Sequence, residues 1–285
     1  MTTMTQSSRY DYLTIGHISR DVVPVELSET GYDIGGTVSF SGRIAKALGC
    51  RTAILTSVGP DMDASAAIPD CIVEVVPSAK TTSFSNIYYP EGRKQIVHSL
   101  AGWISAEHVP ATWRDTPIVH LGPITNQVDP NLVYAFPNSL IGLTPQGWMR
   151  EWGADGEVTQ IPMAHADILL PNADAVILGV EDLYDPSHLA YLRSLSKLLI
   201  MTLSADGCII FQGDEETHVP TPQVTEVNAT GAGDTFATAF FVHLWRTNGN
   251  ILKSAEFANR IASASVAQPD LIAKVNRIQE LLASE

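Results

Sequence analysis

The chain has 285 residues, of which 17 are Lys or Arg and 31 Asp or Glu, for a net charge of −14, and 45% of its residues are apolar. This length and apolar content support a sizeable buried core and exclude disordered, collagen-like and coiled-coil chains. A surface this acidic, with no basic cluster, repels nucleic acid and anionic lipid, and no apolar run is long enough for a membrane-spanning helix.

The polar opening Met1–Tyr10 has no apolar segment of the kind that leads a secreted chain, so it reads as a frayed tail and the protein as cytoplasmic. Tyr12 to Gly16 reads as the first strand, followed by a loop containing His17 and then Asp21-Val-Val. Asp33-Ile-Gly35-Gly36 precedes Thr37–Leu48, where Phe40, Ile44, Ala47 and Leu48 recur at helical spacing and Gly49 stops the helix. Arg51–Val58 is a buried strand, and the few residues between Pro60 and the next strand leave room only for a shortened helix. Thr82–Tyr89 and Lys94–Leu100 are β-prone runs on either side of Pro90-Glu91-Gly92-Arg93, which predicts a hairpin at about 81–100, placed as a lid. Ile118–Leu121, Leu140–Leu143, Ala175–Leu178 and Leu198–Thr202 are short apolar runs suited to strands covered on both faces. Asp185–Ser196, Asp234–Trp245 and Ile251–Ala267 read as helices. The pattern is one α/β domain over residues 1–285 with a mostly parallel sheet and a small β lid. The three cysteines are far apart and read as buried apolar residues. The histidines show no zinc-binding spacing.

The segment that carries chemistry is Thr230-Gly231-Ala232-Gly233-Asp234, directly before a helix. Its glycines let the backbone approach a ligand closely, and the helix start adds unpaired N–H donors and positive potential. Such a cradle holds an anion without a lysine. Asp234 beside it is either the cap of the helix or a base that takes a proton from an attacking hydroxyl. A third glycine of a dinucleotide-binding loop is missing, since Phe236 stands there, and the chain has no Gly-Lys pair of a Walker loop.

With these residues the chain resembles the ribokinase-like (PfkB) carbohydrate and nucleoside kinases. Thr230–Asp234 looks like that family's C-terminal signature, Gly35-Gly36 its N-terminal glycine pair, Val58-Gly59-Pro60-Asp61 its Val-Gly-x-Asp turn, and Thr202–Gly207 its nucleotide loop. The resemblance implies a three-layer fold, a mostly parallel central sheet flanked by helices under a small β lid. It implies transfer of the ATP γ-phosphate, with Mg2+, to a hydroxyl of a small sugar or polyol. Asp234 would be the base, and Gly231, Ala232 and Gly233 would stabilise the phosphoryl group. Asp21, Gly35 and Gly36 would hold substrate hydroxyls, with Asn86 and Arg93 reaching in from the lid. Thr202, Ser204, Gly207, Thr230 and Asn259 would lie near the nucleotide.

Some positions depart from that pattern. Asn228 replaces an acid that shapes a monovalent-cation site in relatives, so activation by potassium is doubtful. The magnesium-organising Asn-x-x-Glu survives only as Gly179-Val180-Glu181-Asp182, with Asp182 as its remaining acid. Phe40 stands where sugar kinases carry an amide, and Gly-Gly-Thr-Val-Ser-Phe40 is similar to the myo-inositol kinase branch. Phe40 either walls the pocket against a cyclic polyol or packs into the core. The alternatives are a ribose- or fructose-type sugar or a nucleoside as acceptor, and a non-catalytic binding relative of the fold. The edge of the lid also admits a homodimer.

Overall fold

The computed structural model describes residues 10–23, 30–89 and 92–284, so the opening tail up to residue 9 and the Pro90-Glu91 tip lie outside it. Strand β1 (Tyr12–Ile15) is buried at every position. Its alternate side chains enter two cores: Leu13 and Ile15 join Trp148 and Leu169 on one face, and Tyr12 joins Phe240 and Phe241 on the other. The chain then leaves the sheet for two short strands, β2 (Ser19–Val22) and β3 (Tyr32–Gly35). It returns through helix α1 (Thr37–Ala47) to β4 (Thr52–Val58), which is buried throughout. The short link predicted after Pro60 holds a single-turn helix, α2 (Ala64–Ala67), ahead of β5 (Ile72–Pro77).

Strands β6 (Thr82–Tyr89) and β7 (Gly92–Ser99) pair antiparallel, as the two β-prone runs predict. They are followed by β8 (Ile118–Leu121), β9 (Leu140–Leu143) and a small hairpin of β10 (Arg150–Trp152) and β11 (Val158–Gln160). Helix α3 (Ala166–Asn172), strand β12 (Ala175–Gly179), helix α4 (Pro186–Leu195) and strand β13 (Leu199–Thr202) continue the alternation. Asp185 lies outside α4 as its cap, accepting from the Ser187 and His188 N–H groups. Strands β14 (Cys208–Gln212) and β15 (Glu215–Val219) precede three helices, α5 (Ala232–Arg246), α6 (Ile251–Val266) and α7 (Leu271–Ala283).

Nine strands form the central sheet in the order β15-β14-β13-β12-β9-β8-β1-β4-β5. It is parallel from β13 to β5, and β14 and β15 add an antiparallel edge. The β6–β7 hairpin does not stand alone. Strand β2 pairs parallel to β6 and antiparallel to β3, giving a four-stranded sheet β3-β2-β6-β7. Runs as short as β2 and β3 carry too little alternation to be read from sequence. The lid sheet is tied to the main body by Asp61, whose Oδ1 accepts from the Thr81 N–H and Oγ1 while Oδ2 accepts from Arg20 at 2.6 Å. The β7 edge is partly covered, since the Val97 N–H donates to the Gly156 carbonyl beside the β10–β11 hairpin.

Helix α5 crosses the sheet at Gly142 on β9. A Cβ there would meet the Phe241 ring at 2.5 Å, so the close approach of helix to sheet depends on that missing methyl. Gly142→Ala is expected to cost about 1–3 kcal/mol by overpacking, lowering Tm by several degrees in a thermal melt.

Candidate active site

A cavity of about 720 Å³ opens between the lid sheet and the carboxyl ends of the central strands, next to Leu178 and Gly179 of β12 and Thr202 of β13. Ligands of open α/β sheets bind at this edge. Two helix starts meet there. Gly36 heads α1 with φ 91°, and Gly231 heads α5 with φ 77°, a region that favours glycine. At Gly36 a Cβ would also lie 2.2 Å from the His17 carbonyl oxygen.

The lid supplies a polar wall. Asp21 Oδ1 accepts from Ser19 Oγ at 2.9 Å, and its Oδ2 accepts from Asn86 Nδ2 at 3.3 Å. Asn86 Oδ1 in turn accepts from Gln95 Nε2 at 2.9 Å. Gly35 must be glycine for this wall to exist, because a Cβ would stand 2.7 Å from Asp21 Oδ2. A carboxylate and a carboxamide fixed side by side suit hydroxyl groups.

The opposite side is the Thr230–Asp234 loop. Helix α5 begins at Ala232, earlier than the sequence suggests, and Gly231 is its cap residue. Asp234 is therefore inside the first turn and is not the cap. Its carboxylate lines the cavity and accepts from the Thr37 side chain at the head of α1. Burial pushes its pKa up to about 6, a Thr37 hydrogen bond opposes the rise, and the nearby Asp182 charge adds to it. Gly233 has nothing within 4 Å of where a Cβ would sit, so the space above the loop is open to a ligand. The Ala232 N–H turns back to the Ala229 carbonyl at 3.0 Å, while the Gly233 and Asp234 N–H groups have no helical carbonyl to bond and belong to residues that line this end of the cavity.

Phe40 does both things that its sequence position allows. It is only 7% exposed, it lines the cavity, and its ring sits where a Cβ on Gly231 would be, 2.2 Å from Cδ1. The ring thus packs against the glycine loop while also lining the cavity.

Asp182 also lines the cavity. Its Oδ1 accepts from Gln146 Nε2 at 2.9 Å and its Oδ2 from the Gly179 N–H at 3.0 Å. With Asp21, Glu181, Glu226 and Asp234 it makes five carboxyl groups against one guanidinium, Arg150, among the described lining residues. A polyphosphate would be repelled unless it arrived with a divalent cation, so the donor set fits magnesium. No cluster of three His, Cys, Asp or Glu side chains occurs among the described residues, which leaves water to complete such a shell. Gln146, Arg150 and Glu226 are cavity residues that the sequence did not signal, since none sits in a motif with a mechanism of its own, while Glu181 comes with the Gly179–Asp182 segment.

Other predicted residues lie elsewhere. Thr202 and Thr230 line the cavity, but Ser204, Gly207 and Asn259 do not. Asn259 is buried, and its Nδ2 donates to the Val219 and Pro220 carbonyls. Arg93 lies on β7 opposite Tyr88, but its side chain is outside the described part. His17 is fully buried, bonded through Nε2 to the Gly102 carbonyl, and burial lowers its pKa to about 4.

Residues 150–277 match the pfkB family carbohydrate kinase model. The chain is 33% identical over 105 residues to aminoimidazole riboside kinase of Salmonella typhimurium, covering 35% of this chain and 32% of that protein. It is 35% identical over 124 residues to ribokinase of Bacillus subtilis, covering 42% and 40%. The matched segments thus span about a third to two fifths of these relatives. A solved pyrophosphate-dependent kinase in the ribokinase family superposes with TM-score 0.79 at 21% identity, covering 94% of this chain and 99% of that one. Another such structure, complexed with a pyrophosphate analog and myo-inositol, gives TM-score 0.78 at 20% identity with the same coverage. Ribokinase from Thermotoga maritima gives TM-score 0.70 at 17% identity, covering 96% and 99%. The fold is that of ribokinase.

The raised Asp234 pKa has a sign that a melt can read. The unfolded carboxyl ionises near its ordinary 3.8 and the folded one near 6, so ionisation costs the fold stability as pH rises between them, and the cost is full above 6. Asp234→Asn is expected to melt about 2–4 °C higher than the native chain at pH 8 and at the same temperature near pH 3, as followed by calorimetry.

Proposed function

We propose that this chain, with the fold of ribokinase and a pfkB-type C-terminal segment, transfers a phosphoryl group from a magnesium-bound polyphosphate to a hydroxyl of a small polyol. The observation that carries this reading is Asp234. It is a carboxylate that caps no helix, is pushed up to about 6 by burial, and faces one cavity with both the hydroxyl-binding wall and the glycine loop.

In this reading Asp21 and Asn86 orient the acceptor so that one hydroxyl points to Asp234, which takes its proton as the oxygen attacks. The N–H groups at the start of α5 stabilise charge on the transferred group without reorganising. Asp182 would hold the magnesium through water, and that ion neutralises donor charge when bound. The loss of proton-accepting ability below the Asp234 pKa predicts kcat/KM falling about tenfold per pH unit under pH 6.

ATP is the donor implied by the sequence. A second donor, pyrophosphate, is favoured by one observation: the cavity includes Thr202 but not Ser204, Gly207 or Asn259, so the loop that would meet a nucleoside stands outside it. Two of the similar structures are named as pyrophosphate-dependent kinases. For the acceptor, a cyclitol such as myo-inositol suits the flat apolar Phe40 ring, with a ribose- or fructose-type sugar or a nucleoside as alternatives.

The test is a phosphoryl-transfer assay, read by 31P resonance, with magnesium ATP and magnesium pyrophosphate across cyclitols, sugars and nucleosides. Transfer to at least one acceptor is expected, and Asp234→Asn should lower turnover by roughly 10² or more with donor affinity little changed. No transfer with any pair would leave a binding protein. Full turnover in Asp234→Asn would remove the base.

Phe40→Asn separates the two duties of that ring. Relative kcat/KM for cyclic polyol over open sugar should fall roughly 10- to 200-fold if the ring contacts the acceptor. A lower Tm with unchanged preference would mean that the ring serves only to brace Gly231.

A further inference from the structure

Beneath the glycine loop, on the side away from the cavity, lies a buried lysine. Lys274 is on α7, 1% exposed, and its Nζ donates to the Asn228 carbonyl at 2.8 Å and to the Thr230 carbonyl at 2.6 Å. A buried ammonium is costly, and here burial pulls its pKa below the ordinary lysine range while Glu226 and Asp270 oppose the shift. Nothing about helix packing requires it, since a methionine would fill the same space.

Its two acceptors are informative. In a trans peptide the C=O and the following N–H point in opposite directions. Carbonyls of Asn228 and Thr230 turned towards Lys274 therefore turn the N–H groups of Ala229 and Gly231 the other way, and both of these residues line the cavity. The positive charge also polarises those peptide units, strengthening them as donors. Asn228 completes the arrangement. Its Oδ1 accepts from the Thr230 N–H at 2.8 Å and its Nδ2 donates to the Pro269 carbonyl at 2.8 Å, a bond that an aspartate could not make.

We infer that Lys274 is a built-in cation, a positioning residue that holds the Asn228–Thr230 carbonyls so that the loop presents its N–H groups to the donor, and that it makes a dissociable monovalent ion unnecessary. This rests on the phosphoryl-transfer reading for its purpose, but not for its test. Lys274→Ala removes the ammonium and opens a space where a small cation can sit; Lys274→Met removes the charge and keeps the space filled.

The experiment uses the full chain in choline, potassium and ammonium buffers, with two readouts. One is calorimetric binding of magnesium pyrophosphate and magnesium ATP; the other is Tm. The native chain is expected to be indifferent to the cation in both. Lys274→Ala in choline should bind whichever donor the native chain binds about tenfold or more weakly, with a lowered Tm, and potassium or ammonium should restore both in a saturable way. Lys274→Met should show the binding loss without rescue. Native-like binding and Tm of Lys274→Ala in choline, losses that neither cation reverses, or a several-fold potassium dependence of the native chain would each overturn the inference. If the native chain binds neither donor, the functional reading fails, and the cation response of Tm alone still decides the role of Lys274. If Lys274→Ala does not fold, donor binding by Lys274→Met equal to the native chain's overturns the inference and weakened binding supports it.

Discussion

The site depends on one constraint: among the described lining residues five carboxyl groups stand against one guanidinium, so the cavity has little side-chain charge to offer an anion. Side-chain cations are scarce there, so the attraction has to come from oriented peptide groups. That in turn requires the starts of α1 and α5 to converge on the cavity, each headed by a glycine with positive φ, Gly36 and Gly231. The two starts are cross-braced. Thr37 of α1 reaches Asp234 of α5, and Phe40 of α1 occupies the volume that a side chain on Gly231 would need. Neither helix start can shift without moving the other.

The glycine pair, the Gly-Ala-Gly loop and the buried strands were legible in the sequence because each reflects a local demand. A positive φ needs glycine, a close backbone approach excludes a side chain, and a strand covered on both faces is apolar throughout. The short strands β2 and β3 were not legible, because their structure comes from pairing with β6, far along the chain. Lys274 was equally silent. A lone lysine in a C-terminal helix carries no signal until the fold brings it beneath a loop more than forty positions earlier. Asp234 shows the intermediate case. Its motif was plain, yet cap and base could be separated only once Gly231 was seen to occupy the cap. Ser204, Gly207 and Asn259 matched a pattern by position, but Asn259 spends its amide on the Val219 and Pro220 carbonyls, which fixes the turn after β15.

Electrostatics divides the work within the cavity. Asp234 is destabilised as an anion by burial and by Asp182, which is the condition for a carboxylate to accept a proton near neutral pH. Asp182 itself is held by Gln146 and the Gly179 N–H, a neutral cradle that fixes its orientation in the cavity. Two acids of one cavity thus stand in different surroundings.

The lid sheet has a mechanical consequence. Asp21 is on β2, Asn86 on β6 and Gln95 on β7, so every member of this hydrogen-bonded chain rides on the same four-stranded sheet. The sheet meets the main body at Gly35-Gly36, at the Asp61 clasp and, along β7, at the Val97–Gly156 bond. Any tilt of the sheet carries Asp21, Asn86 and Gln95 with it as a rigid set. Polar wall and cover are therefore one body: the lid sheet cannot lift from the cavity without drawing the Asp21–Asn86–Gln95 chain away from the glycine loop on the opposite side.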